Sequence, residues 1–149
     1  MPRQSASTAN ATSVSWGILV IRIALGVVFT AHGAQKLFEY TLAGTVESFG
    51  SMGAPLPEIT APLVAFLEFG GGILLIAGLF TRLVAILLAI DMVVAIALVH
   101  AQAGFWVGEG GYEFVALLGA AALGLAFAGA GRISLDGAVL RGRIPAWVA

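Results

Sequence analysis

The stretch from Trp16 to Phe38 constrains this chain most, because it is long and apolar enough to cross a bilayer yet carries Arg22, His32 and Lys36 within it. A spanning helix takes about 20 mostly apolar residues, and a charge near its centre costs about 2.5–3.5 kcal/mol on insertion scales. Charges placed there demand partners. Arg22, Gly26, Phe29, Gly33 and Lys36 follow one another at spacings of four, three, four and three, which sets them on one face of a helix. His32 falls within about 40° of Lys36 at 3.6 residues per turn. That polar face is predicted to look into a bundle, while Ile18, Leu19, Val20, Ile23, Val27 and Val28 supply apolar surface elsewhere.

The rest of the chain provides the bundle. Of 149 residues, 60% are hydrophobic and 10% charged, with a mean hydropathy of +1.02. Such a composition lies outside the range of soluble domains and implies an integral membrane protein. Further apolar segments run over Ile59–Phe80, Leu83–Ala101 and Tyr112–Ala130. The predicted fold is therefore all-α, a polytopic four-helix transmembrane bundle over residues 16–131. It is flanked by a flexible tail (1–15) and an amphipathic tail (132–149). The Ser- and Thr-rich start carries Arg3 as its one charge. The apolar run after it is longer than the h-region of a cleaved signal peptide and contains Arg22, so it is expected to stay as a span. Between the first two spans, Leu42, Val46, Phe49 and Met52 recur at helical spacing, as in a short helix lying on the membrane surface. Thr81-Arg82 leaves almost no loop, so the second and third spans form an antiparallel hairpin. Arg3, Arg82, Arg132, Arg141 and Arg143 fall on one side, whereas the opposite loops carry Glu39, Glu47, Glu58 and Glu109 and no Lys or Arg. The positive-inside rule then puts both termini in the cytoplasm of a multi-pass plasma (inner) membrane protein. The absence of cysteine excludes disulfides, thiol relays and iron–sulfur ligation by this chain alone.

Two groups of polar residues are candidates for a site. Counting along straight helices from the cytoplasmic side puts Arg22 roughly 9 Å deep, Asp91 roughly 13 Å and Glu68 roughly 18 Å. Arg22 is expected to pair with Asp91, Glu68 or both. Nearer the outside lie His32, Lys36, His100, Gln102, Tyr112 and Glu113. The plainer reading of both groups is structural, Arg22 with an acid as a packing device and Glu113 with Lys36 as an interfacial ion pair worth little. Mid-bilayer ionisable groups are expensive and usually functional, which weighs against it for Arg22 and Glu68. His32 and His100 are of the type that ligates haem, but paired histidines more often hydrogen-bond or carry protons, so haem is disfavoured. A metal site from His32, His100 and Glu113 has no supporting spacing, and none is predicted. Gly108–Gly111 and Gly129–Gly131 are turns, since neither follows a strand or carries a phosphate-binding Lys. Asp91 and His100, nine residues apart, should face different neighbours on a straight helix. A weak internal repeat links His32-Gly-Ala-Gln35 with His100-Ala-Gln102, and Glu68-Phe69 with Glu113-Phe114.

Taken in order, Arg22-x-x-x-Gly26-x-x-Phe29-x-x-His32-Gly33-x-x-Lys36-Leu37, Glu68-x-x-Gly71-Gly72, Gly78-Leu-Phe-Thr-Arg82, Gly110-Gly-Tyr-Glu113 and Gly131-Arg-Ile-Ser-Leu-Asp136 resemble the DoxX family, from residue 17 to about 136. Asp91 lies outside that pattern. The resemblance implies four transmembrane helices and a membrane subunit linked to quinone-dependent oxidoreductases with soluble redox or sulfurtransferase partners. On it rests the expectation of a subunit that binds a quinone or similar lipid-phase molecule. Glu68, Arg22 and His32 would handle charge and protons, and Lys36, Asp91, His100, Tyr112 and Glu113 would contact the ligand. A small proton-coupled transporter and a non-catalytic scaffold are the alternatives. The bilayer is the one certain partner, no nucleic acid is expected, and homo-oligomerisation stays open.

Overall fold

In the computed structural model, residues 3–138, 145, 147 and 148 are described. Helix α1 (Arg3–Ala34) passes into a π-helical turn over Gln35–Glu39, then come α2 (Thr41–Ser51), α3 (Pro57–Ala77) and α4 (Thr81–Ala95). A second π-helical turn, Ile96–His100, extends α4, and two short 3₁₀ turns lead to α5 (Glu113–Ala128) and the single turn α6 (Leu135–Ala138). No strand occurs among the described residues.

Three helical stretches are long and apolar enough to cross a membrane, Thr12–Glu39, Pro57–Ala77 and Thr81–Ala103. The fourth apolar helix, α5, is 16 residues. At 1.5 Å per residue it is about 24 Å long, a little less than the hydrocarbon core. The chain is thus an all-helical, multi-pass membrane protein. Helical backbone also runs back to Arg3, where the sequence suggests a flexible tail. The alanines there favour a helix already nucleated by the span. Val139, Leu140, Arg141 and Arg143, which the sequence assigns to an amphipathic tail, lie outside the described residues.

Helix α1 packs on α3, α4 on α5, and α2 against α3. The face read from α1 is the buried one: Arg22, Gly26, Phe29 and Gly33 are buried and Lys36 half-buried. A Cβ on Gly33 would collide with the backbone of Phe69, and one on Gly26 would sit 2.7 Å from the Gly72 carbonyl. Hydrogen at these positions lets the two backbones approach. Phe29, Leu75, Leu88, Met92, Leu118 and Leu125 fill the centre. Val20, Val27, Phe66, Ile90, Val93 and Leu117 stay exposed, as a lipid-facing surface requires.

The helix ends follow local sequence. Pro57 opens α3 in its first turn, where a missing N–H costs nothing. Gly78 closes it at φ 69, with Leu79 N–H donating to Leu74 O at 2.9 Å and Gly78 N–H to Leu75 O at 3.1 Å. Ser134 caps α6 by accepting from Gly137 N–H at 3.0 Å.

Candidate functional site

The sequence candidates separate into three places. The first is a cavity of about 250 Å³ between α1, α3, α4 and α5, covered by residues of α2 and the loop after it. Its lining is mostly apolar, with Phe29, Phe49, Val64, Met92, Leu98, Phe114, Val115 and Leu118 among it. His32, Lys36, Glu68, Asp91 and His100 supply the polar groups. Lys36 Nζ meets Glu68 Oε2 at 2.5 Å, with side chains 20% and 6% exposed. Water is largely excluded from this ion pair, so its attraction is screened far less than at a surface.

Asp91 is 8% exposed and lies within electrostatic and hydrogen-bonding reach of Glu68, with Lys36 beside them. Its Oδ2 has no hydrogen-bond partner. Groups that ionise are costly at this depth and call for partners, which these three supply to one another.

The two π-helical turns shape this site. The first carries Lys36, whose carbonyl is met by the buried Thr45 hydroxyl at 2.8 Å. In the second, one extra residue sets the helix rotation back by about 100°. Asp91 and His100 therefore line the same cavity, contrary to the straight-helix expectation of different neighbours. His100 is tethered outward as well, with Nδ1 2.7 Å from Gly110 O. His32 lies at the cavity margin and also lines a shallow hollow with Gln35, Phe38 and Glu39.

Arg22 is in the second place, and its predicted pairing with Asp91 or Glu68 is incorrect. Its guanidinium, 2% exposed, donates from Nη1 to Ala130 O and from Nη2 to Ile133 O at 2.8 Å. Helical side chains lean toward the helix N-terminus, so Arg22 reaches away from the mid-span acids into the turn between α5 and α6. Asp136, missed as a site residue, stands in electrostatic range of it. The Asp136 carboxylate accepts from Phe80 N–H at 2.9 Å and Thr81 N–H at 3.0 Å, while its own N–H donates to Gly78 O at 2.9 Å. Arg82 donates to Ala126 O and Phe127 O at 2.8 and 2.9 Å, satisfying free carbonyls at the end of α5. Four chain segments meet in this junction, where the hydrogen bonds of Arg22, Arg82 and Asp136 go to backbone, while Arg22 Nε and Thr81 Oγ1 are buried without a partner.

Tyr112 and Glu113 are in the third place, the glycine-rich turn, and do not reach the cavity. Glu113 Oε2 accepts from Val107 N–H at 3.0 Å, and the Tyr112 ring stacks edge-on to Phe105 at 5.6 Å. Neither residue meets Lys36, so the interfacial Glu113–Lys36 pair of the plainer reading does not form; Glu68 takes that role. Among the described residues no three of His, Asp and Glu converge in a way that could hold a metal ion. The apolar cavity residues Met92 and Leu118 were missed, since one apolar residue among so many gives no sequence signal, whereas Phe29 was read on the inward face but not as part of a site.

A buried, charge-bearing cavity within an apolar helical bundle defines the class: a polytopic membrane protein with an intramembrane polar site. The model of one family, DoxX, matches residues 17–101, and the chain belongs to that family. "Putative oxidoreductase CatD" of Bacillus subtilis is 36% identical over 127 residues, covering 85% of this chain and 90% of that protein. "Inner membrane protein YphA" of Escherichia coli is 34% identical over 125 residues, covering 80% and 87%. A Mycobacterium tuberculosis membrane protein described as uncharacterized is 36% identical over 133 residues, covering 80% and 78%. No solved structure matches the chain significantly.

Proposed function

We propose that the protein is an inner-membrane subunit of an oxidoreductase system, with both termini cytoplasmic, whose cavity takes a quinone-type ring compound from the lipid phase. The observation that carries this reading is the cavity itself, apolar over most of its lining yet holding Lys36, Glu68 and Asp91, whose Oδ2 has no hydrogen-bond partner. Small-molecule sites are typically built so, with few polar groups in apolar walls, and about 250 Å³ suits a single ring. Its lining residues Val94, Leu98, Val99 and Phe114 are also exposed on the outer surface, which supports entry from the bilayer. The oxidoreductase name of the Bacillus subtilis relative agrees with a redox role. Electrons would come from a soluble redox or sulfurtransferase-type partner, since the chain has no cysteine of its own.

A quinone supplies two-electron chemistry that must be matched by protons at its ring oxygens. Glu68 and Asp91 hold the proton nearest the cavity, Lys36 balances their charge, and His32 at the margin is the group placed to exchange protons with the outside. Arg22 has no part in this step, being occupied at the junction. Mass spectrometry of the purified protein should find a co-purifying ring compound, and Glu68→Gln should then lower partner-linked turnover by about 10²–10⁴ without unfolding the protein. Wild-type turnover by that variant at every pH removes Glu68 from the mechanism. Proton flux into proteoliposomes without any ring compound would favour the carrier reading instead.

A further inference from the structure

We propose that Thr45 is a positioning residue for the cavity: its buried hydroxyl holds the Lys36 carbonyl and thereby sets the Lys36 ammonium against Glu68.

In an uninterrupted α-helix the Lys36 carbonyl would accept from the N–H four residues on, that of Tyr40. Here Tyr40 N–H donates instead to Gln35 O at 2.9 Å, as a π-helical turn requires. The Lys36 carbonyl is left without its helical partner. Thr45, 2% exposed, supplies another, for its hydroxyl lies 2.8 Å from Lys36 O and 2.9 Å from Thr41 O, within donating reach of both. Thr41 is held at φ 61, the left-handed bend by which the chain passes from the π-helical turn into α2. One hydroxyl therefore fastens both sides of that bend. A carbonyl deprived of its donor is unfavourable, and without the hydroxyl the nearest donor is the N–H of Tyr40. Its return to Lys36 O would remove the extra residue of the turn and rotate the chain on the two sides by about 100°, with Lys36 at the pivot.

Lys36 is thus held at both ends, its carbonyl by α2 and its ammonium by Glu68 of α3 at 2.5 Å. Thr45 also shares a face with the residues that cover the cavity. Thr45, Phe49 and Met52 follow one another at spacings of four and three, and Phe49 and Met52 line the cavity. A guest that displaces either of these also displaces the group that holds Lys36. The coupling between the covering helix and the charge beneath it is the same whatever molecule the cavity takes.

Lys36 is the one lysine of the chain, so both of its ends can be observed selectively. Lysine labelled with carbon-13 at its carbonyl carbon places one labelled carbonyl in the protein, and isotope-edited infrared spectroscopy reads its hydrogen bonding. Thr45→Val, equal in shape but without the hydroxyl, should shift that band, and Thr45→Ser should leave it at the wild-type position. The ammonium is read by its rate of acetylation with an N-hydroxysuccinimide ester in protein-loaded nanodiscs, followed by mass spectrometry of the peptide that carries Lys36. Glu68→Gln, which releases the ammonium, sets the upper rate. Thr45→Val should raise the wild-type rate about 5-fold and Thr45→Ser by no more than about 2-fold. On the Glu68→Gln background, Thr45→Val should add nothing. A wild-type band and rate in Thr45→Val overturn the proposal. So does a shifted band with an unchanged rate, because the carbonyl would then be held without consequence for the ammonium. An equal acceleration with and without Glu68 overturns it as well, since Thr45 would be acting on the bundle rather than through the ion pair. If Thr45→Val does not fold, Thr45→Ser decides: a wild-type band and rate support the role of the hydroxyl, and a shifted band or a raised rate overturns it.

Discussion

The Arg22 junction and the Lys36 cavity put the same kinds of charged residue in one small bundle to opposite uses. At the junction, the Arg22 and Asp136 side chains are directed at backbone carbonyls and N–H groups of two turns, and a Cβ on Gly78 would already meet the Arg22 guanidinium. In the cavity, Lys36 and Glu68 form an ion pair, Asp91 lies beside them with Oδ2 unpartnered, and about 250 Å³ lies open next to the group. Buried charge alone therefore does not mark a site. The two regions differ in the open space beside the charge.

The largest expected effect is at the junction. Arg22→Leu should destabilise the protein by about 3–5 kcal/mol in reversible unfolding, since it takes the donors from the Ala130 and Ile133 carbonyls and a cation from the range of the buried Asp136. Neither Asp91→Asn nor Glu68→Gln should rescue it, and rescue by either would join the two regions that the structure separates. Next comes Gly78→Ala. The residue sits at φ 69, and a Cβ there would lie 2.6 Å from the Arg22 guanidinium carbon. Strain and overpacking should together cost about 2–4 kcal/mol. A thermal midpoint unchanged from wild type would mean that the Arg22 guanidinium yields easily.

In the cavity, Glu68→Gln should cost about 1.5–3 kcal/mol, the worth of a hydrogen bond to a charged group. Asp91 stands ready to take over the ammonium, so adding Asp91→Asn should cost more than the sum of the single changes; strict additivity would show that the three groups are not one network. The smallest effect is Asp91→Asn alone. It replaces an acid with an unmet oxygen by a neutral amide of the same shape, and its unfolding free energy should stay within about 1 kcal/mol of wild type. A loss as large as that of Arg22→Leu would make Asp91 a structural residue.

What the sequence makes legible in this fold is periodic. The four-three spacing from Arg22 to Lys36 identified the buried face of α1, Thr81-Arg82 identified the α3–α4 hairpin, and Glu68 stood out as an acid in an apolar run. Backbone partners are not legible in the same way. Every residue carries a carbonyl, so nothing in the sequence marks Ala130 and Ile133 as the acceptors for Arg22. Depth counting along straight helices ignores the N-terminal lean of side chains, which is why it paired Arg22 with the wrong acids. It also ignores π-helical turns, and the turn at Ile96–His100 brings His100 round to the cavity that Asp91 lines. The motif Gly131-Arg-Ile-Ser-Leu-Asp136 was visible, but its purpose depends on N–H groups some 55 residues earlier in the chain, at Phe80 and Thr81.

The glycine contacts between α1 and α3 have a mechanical consequence. With Gly33 pressed on the Phe69 backbone and Gly26 on Gly72, sliding either helix by one residue would drive a side chain into main chain. The two helices are keyed together like a shaft in its slot. Lys36 and Glu68 stand one on each side of that joint, so the same glycines that lock the helices also hold the spacing of the ion pair.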